Sequence, residues 1–195
     1  MSSPEAIGLV RDCALLAALG VALYTDITRG KVYDWCTLPA IGLGLLIGLV
    51  AGGFEPAQGN GFLDFFGWPL LDSLAGLALA FGIFGLAWVL HMLGGGDVKL
   101  LCAVGALKGF RFFMDAAVLT ACAGAILAIV ILIWRGRLKE GLKGSLLALV
   151  APSRLRRQRD PAPAGAAEMM TIPYVWAIAA GTAAALALTW LKGVV

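Results

Sequence analysis

The sequence predicts an all-α, polytopic integral membrane protein: six transmembrane helices and one amphipathic helix on the cytoplasmic membrane surface. Three observations carry that expectation. Hydrophobic residues make up 61% of the 195 residues, against roughly 45–50% in a soluble domain. Charged residues make up only 14%, where about 25% is usual. The apolar residues also fall into separate runs, most of them near the roughly 20 residues that a helix needs to cross the hydrocarbon core. A mean hydropathy of +0.90 excludes a water-soluble monomer. So many apolar runs exclude a secreted protein with one signal peptide, and Met1-Ser2-Ser3-Pro4-Glu5 lacks the basic start of such a peptide. Helices satisfy their own backbone hydrogen bonds, which lipid cannot do for them. Residues 1–195 therefore read as a single membrane-embedded domain.

The first span is Ile7 to Tyr24, with Arg11 and Asp12 in its opening turns. The second, Leu38 to Gly53, is short and rich in glycine. The third runs from Pro69 to Leu93, with Pro69 at the helix start, where its missing N–H costs nothing. Val98 to Gly109 is apolar but short, whereas Phe112 to Trp134 and Ile172 to Leu191 are full-length spans. Basic residues decide whether the short segment crosses. Arg29 and Lys31 lie between the first two spans, and Arg135, Arg137, Lys139, Lys143, Arg154, Arg156, Arg157 and Arg159 lie between the last two. Both regions belong on the cytoplasmic side, so an even number of spans separates them and Val98–Gly109 must cross. Both termini then lie outside the cytoplasm, as do Lys108 and Arg111.

Within the cytoplasmic basic loop 135–170, Leu138, Leu142, Leu146 and Leu149 recur at helical spacing beside Lys139 and Lys143. That pattern predicts the surface helix. Ser153 to Pro163 then reads as a solvated linker held near anionic lipid. Glycines such as Gly42, Gly44, Gly48, Gly76, Gly82 and Gly85 predict close helix packing. The four cysteines form no CxxC pair and read as small packing residues, while Trp35, Trp68, Trp134 and Trp190 near span ends read as interfacial anchors. No phosphate-binding loop, Ser/His/Asp grouping or nucleic-acid motif is present. His91 stands alone at a span end and no HExxH spacing occurs, so neither a metal nor another cofactor is expected.

Ionisable residues at membrane depth are functional candidates by default. Asp26 closes the first span in Tyr24-Thr25-Asp26-Ile27-Thr28-Arg29, and Asp97 opens the fourth in Gly94-Gly95-Gly96-Asp97-Val98-Lys99-Leu100. Two spans separate them, so both lie on the same, cytoplasmic face. Two carboxyl groups a few ångströms apart share one proton. One member then activates water while the other protonates a carbonyl, and peptide hydrolysis needs no metal or covalent intermediate. The pair titrates as a unit, so neither residue is assigned a fixed role. The preceding glycines leave room for an extended substrate strand. Plainer roles stand beside this one: Asp97 as a helix cap, and Asp26 as a helix-end residue paired with Arg29. Lys99, two residues beyond Asp97, points away from it on a helix and is open to lipid phosphate, the site or the substrate.

These residues resemble the motifs of type IV prepilin peptidases. Tyr24-Thr25-Asp26 with Arg29, then Trp35, Thr37, Leu38 and Pro39, is similar to the family's first aspartate motif. Gly94-Gly95-Gly96-Asp97-Val98-Lys99-Leu100 is similar to its GxGDxKL element, and Ile172-Pro173-Tyr174 followed by Ala177 to Gly181 to its last-helix motif. The resemblance implies a six-helix aspartic endopeptidase of the bacterial inner membrane. Such an enzyme cuts the basic leader from prepilin or pseudopilin precursors at the cytoplasmic face. It makes Asp26 and Asp97 the catalytic pair and places Gly94, Gly96, Lys99, Arg29, Pro173 and Tyr174 as supporting or substrate-binding residues. The implied partners are the precursor, membrane lipid and the pilus assembly machinery, and no nucleic acid. The loop from Asp26 to Thr37 has no room for the two-CxxC insert of the larger, methylating members. The chain thus resembles the short, peptidase-only form that serves Flp-type (tight-adherence) pili. Val32-Tyr33-Asp34 replaces the family's commoner Ile-Pro-Asn or Ile-Ser-Asn and makes Asp34 a rival acid. The competing expectation is a proton- or ion-coupled transporter using Asp26 and Asp97 as relay groups. It would show internal repeats or broken helices. A structural subunit of a secretion complex is the third.

Overall fold

In the computed structural model, residues 3–30, 32–54, 69–90, 93–134 and 174–193 are described. They form five helices and, among the described residues, no strand: α1 (Ser3–Arg29), α2 (Asp34–Phe54), α3 (Pro69–Val89), α4 (Gly95–Trp134) and α5 (Tyr174–Leu191). All five are long and apolar enough to cross a membrane. The expected surface helix within 135–170 lies outside the described residues, as do Trp68, His91 and Pro173. One compact unit comprises residues 1–123 with 174–195, and a second comprises 124–173. In the second, the end of α4 presents Ile126, Ile129, Ile133 and Trp134 outward, as lipid-facing residues should.

The first unit is built inside out relative to a soluble protein. Leu43, Leu46, Leu49, Phe81 and Leu86 point outward, while Ala22, Ala80, Ala103 and Ala106 are enclosed. Large side chains lose nothing by facing lipid, and small ones let backbones approach. At the centre lies the first half of α4, where every residue from Leu100 to Leu107 is buried. A helix that is apolar all round belongs in such a position. The glycine expectation holds at particular sites. A Cβ on Gly44 would meet the Ala106 carbonyl carbon at 2.7 Å, and one on Gly48 would meet Ser73 Oγ at 2.9 Å. Gly76 and Gly105 back directly onto each other, and Gly181 backs onto Thr120. Gly42 and Gly82 face open space, so their glycines are not explained by packing.

Gly109 breaks α4, with φ 82° and ψ −176°. This backbone region is essentially reserved for glycine. Asp72 of α3 fills the space beside it, and its Oδ1 accepts the Phe110 N–H at 3.0 Å, restarting the helix. Packing shows that the chain turns back here. Gly76 lies on Gly105, and Gly95 lies near the Trp88 indole, so α3 runs antiparallel to the first half of α4. Phe113 nevertheless packs edge-on against Phe84, ring centroids 6.2 Å apart, well back toward the Trp88 end. Phe112, Phe113, Ala116 and Thr120 form the one buried stripe of this returning half. Near the turn, Lys108 Nζ of α4 pairs with Asp12 Oδ1 of α1 at 2.5 Å, largely out of solvent. Arg11 and Arg111 are close enough for their charges to act on Asp72.

Candidate active site

α1 extends beyond its expected end at Tyr24 and carries Asp26 on its last turn. Gly30, at φ 63°, ends the helix by donating its N–H to the Asp26 carbonyl at 2.8 Å. A left-handed glycine after the final turn is the common helix stop. Thr25 is buried and its hydroxyl donates to the Ala22 carbonyl, which keeps it inside the helix. Asp26 therefore projects, half-buried, from a rigid turn rather than from a loop. Arg29 does not pair with it; the guanidinium sits over the Tyr33 ring, 5.6 Å from the centroid.

The glycine run is not an extended edge. Gly95 and Gly96 already belong to α4, Gly94 is the residue before it, and Val98 N–H donates to the Gly94 carbonyl. Asp97 is thus in the third helical position, and its carboxylate accepts the Gly94 N–H. That is one arm of a capping box. The capping role and the functional placement coincide in one side chain, because the same carboxylate feels the charge of Asp26. Tyr174, first residue of α5 and half-buried, is close enough to feel the Asp97 charge in turn. Of the residues named from sequence, Asp26, Asp97, Gly94, Gly96 and Tyr174 gather at one end of the bundle; Pro173 falls outside the described residues.

Gly96 has its own contact. A Cβ there would sit 2.9 Å from the Val32 Cβ and 3.1 Å from the Val32 carbonyl oxygen. The glycine lets the α1–α2 connection settle on the start of α4, beside Asp97. Lys99 reaches Asp34 at the start of α2, Nζ to Oδ1 2.6 Å. Asp34 is therefore held by a lysine. Sequence reasoning missed the polar group at the opposite end of the bundle: Asp12, Lys108 and Asp72 around the Gly109 turn. Its signal was present in the charges at Arg11, Asp12, Asp72 and Lys108, each near a span end on the same predicted side.

Two carboxyl groups in electrostatic reach, partly shielded from water, can activate a water and protonate a carbonyl between them. Among the described residues, no three of His, Cys, Asp and Glu gather into a metal-ligand set. No curated protein and no solved structure matches the chain. Residues 13–129, however, match the type IV leader peptidase family. The matched stretch begins within α1, ends within α4, and includes both acids and the whole α1–α2 connection. By that match, over more than half of its length, this multi-pass membrane protein belongs to the type IV leader peptidase family.

Proposed function

We propose that the protein is an aspartic endopeptidase that removes the basic leader from prepilin or pseudopilin precursors, with Asp26 and Asp97 as its catalytic pair. The observation that carries this reading is that the two acids, from separate helices, stand at one end of the bundle within electrostatic reach, Asp97 feeling the charge of Asp26. Water held between them attacks the scissile carbonyl as the ionised carboxyl takes its proton. The protonated carboxyl donates to the carbonyl oxygen to give a gem-diol. On collapse the carboxyl that took the water proton passes it to the leaving nitrogen, the other carboxylate recovers a proton from the gem-diol, and the amine of the mature chain departs. The site faces the cytoplasm across a bacterial inner membrane, and the two halves of α4 make two of six crossings. Gly94 anchors the Asp97 carboxylate, Gly96 admits the connection, and Tyr174 borders the pair. The short connection from Arg29 to Asp34 supports a peptidase that works without methylation. The pilus assembly machinery then receives the product.

The test is incubation with a tagged prepilin, with the cut site read by mass spectrometry. Asp26→Asn and Asp97→Asn each abolish the product while the protein stays folded and inserted. Normal processing by either variant would overturn the assignment. Relay transport would use the same acids and the broken α4; it predicts proton flux and no peptide product.

A further inference from the structure

Beside the two acids lies a third whose partner is easily exchanged. Asp34 and Lys99 form an ion pair of 2.6 Å, with side chains 58% and 42% exposed respectively. Such a pair sits in water, contributes little by itself, and gives up its cation readily. The connection bearing Asp34 is fixed at three points: Gly30 caps α1, Val32 rests on Gly96, and Tyr33 lies under Arg29. Arg29 is thereby occupied by an aromatic face, and Lys99 remains as the cation holding Asp34. Asp34 itself stands at the rigid start of α2, two residues beyond the Val32–Gly96 contact beside Asp97. An extended peptide advances about 3.4 Å per residue. A strand lying across Asp97 and along this connection thus reaches Asp34 within two or three residues.

We infer that Asp34 is a specificity residue that accepts a Lys or Arg side chain of the precursor, two or three residues to the leader side of the cut. Lys99 is its counter-ion in the resting protein. The inference rests on the proteolytic reading for the identity of its ligand, but concerns binding rather than bond cleavage. On docking, the substrate cation replaces the Lys99 ammonium on Oδ1, and Lys99 turns to solvent or lipid phosphate. No covalent step is involved. Asp34 stands outside the hydrolytic pair: it does not touch the scissile bond, and its influence falls on affinity and choice of substrate.

The experiment uses the full-length protein in detergent and two labelled synthetic precursors, with Lys or with Gln at those leader positions. Binding is followed by fluorescence anisotropy and cleavage by mass spectrometry. The Lys precursor is expected to bind about tenfold more tightly than the Gln precursor. Asp34→Asn should reduce that ratio to near one, Asp34→Glu should restore most of it, and Asp34→Lys should favour a precursor bearing Glu there. If the wild-type ratio is already near one, or Asp34→Asn weakens both precursors equally, Asp34 is only a fastener for the connection and the inference fails. If the protein discriminates in binding but cleaves neither precursor, the proteolytic reading fails and the recognition role stands.

Discussion

Asp97 does two jobs with one carboxylate, which shapes how it should be probed. Its oxygens accept the Gly94 N–H at the start of α4 and also face the charge of Asp26. Asparagine retains a carbonyl oxygen for the cap, so Asp97→Asn isolates the acid chemistry, whereas Asp97→Ala also removes the cap at about 1 kcal/mol. Thermal unfolding in detergent should therefore place the Ala variant below the Asn variant, with both inactive. Gly96 is a second residue-scale control. Its position leaves 2.9 Å to Val32 Cβ, closer than real Cβ atoms come. Gly96→Ala must push the connection off α4, and precursor cleavage should fall about tenfold with little change in unfolding temperature. Unchanged cleavage would mean that the seat of Val32 on α4 is irrelevant to the site.

At the scale of elements, the informative one is α4. Hydropathy along the chain finds its two apolar runs, and the positions of Lys and Arg argue that both are used. What hydropathy lacks is the setting of Val98–Gly109: Leu100 to Leu107 are wrapped by protein on every side. The aspartate motifs were readable because acids are rare in such a chain, and Asp26 and Asp97 stand at helix ends where sequence placed them. The charges of the Asp34–Lys99 and Asp12–Lys108 pairs stand near span ends in the sequence, but which side chain meets which was not readable, since each pairing joins helices distant in the chain. The turn itself yields two predictions. Gly109→Ala forces a side chain into a glycine-only backbone region and into Asp72; it should cost at least about 1–3 kcal/mol. Asp12→Leu alone strands the Lys108 charge and should cost about 3–5 kcal/mol, while adding Lys108→Met should recover most of it. Denaturation of the four proteins in detergent closes that cycle, and additive losses would show that the pair is uncoupled.

For the whole molecule, length forces a choice of path. Forty residues of continuous helix would run about 60 Å, twice the roughly 30 Å hydrocarbon core. The Gly109 break and the packing of Phe113 on Phe84 resolve the mismatch by returning the chain alongside itself. A return also separates the charges sensibly: the Asp26, Asp97 and Asp34–Lys99 group at one end, and Asp12–Lys108 with Asp72 at the other. If α4 crosses twice, Arg111 lies on the outer side and Ser153 on the cytoplasmic side; if it crossed once, Ser153 would lie outside. In a background with Cys13, Cys36, Cys102 and Cys122 replaced, Ser153→Cys should react with a membrane-impermeant maleimide only in inverted vesicles. Arg111→Cys should react only in intact spheroplasts. Labelling of both from the outside would remove one crossing and leave the two basic regions on opposite faces, against the bias that positive residues impose on membrane insertion.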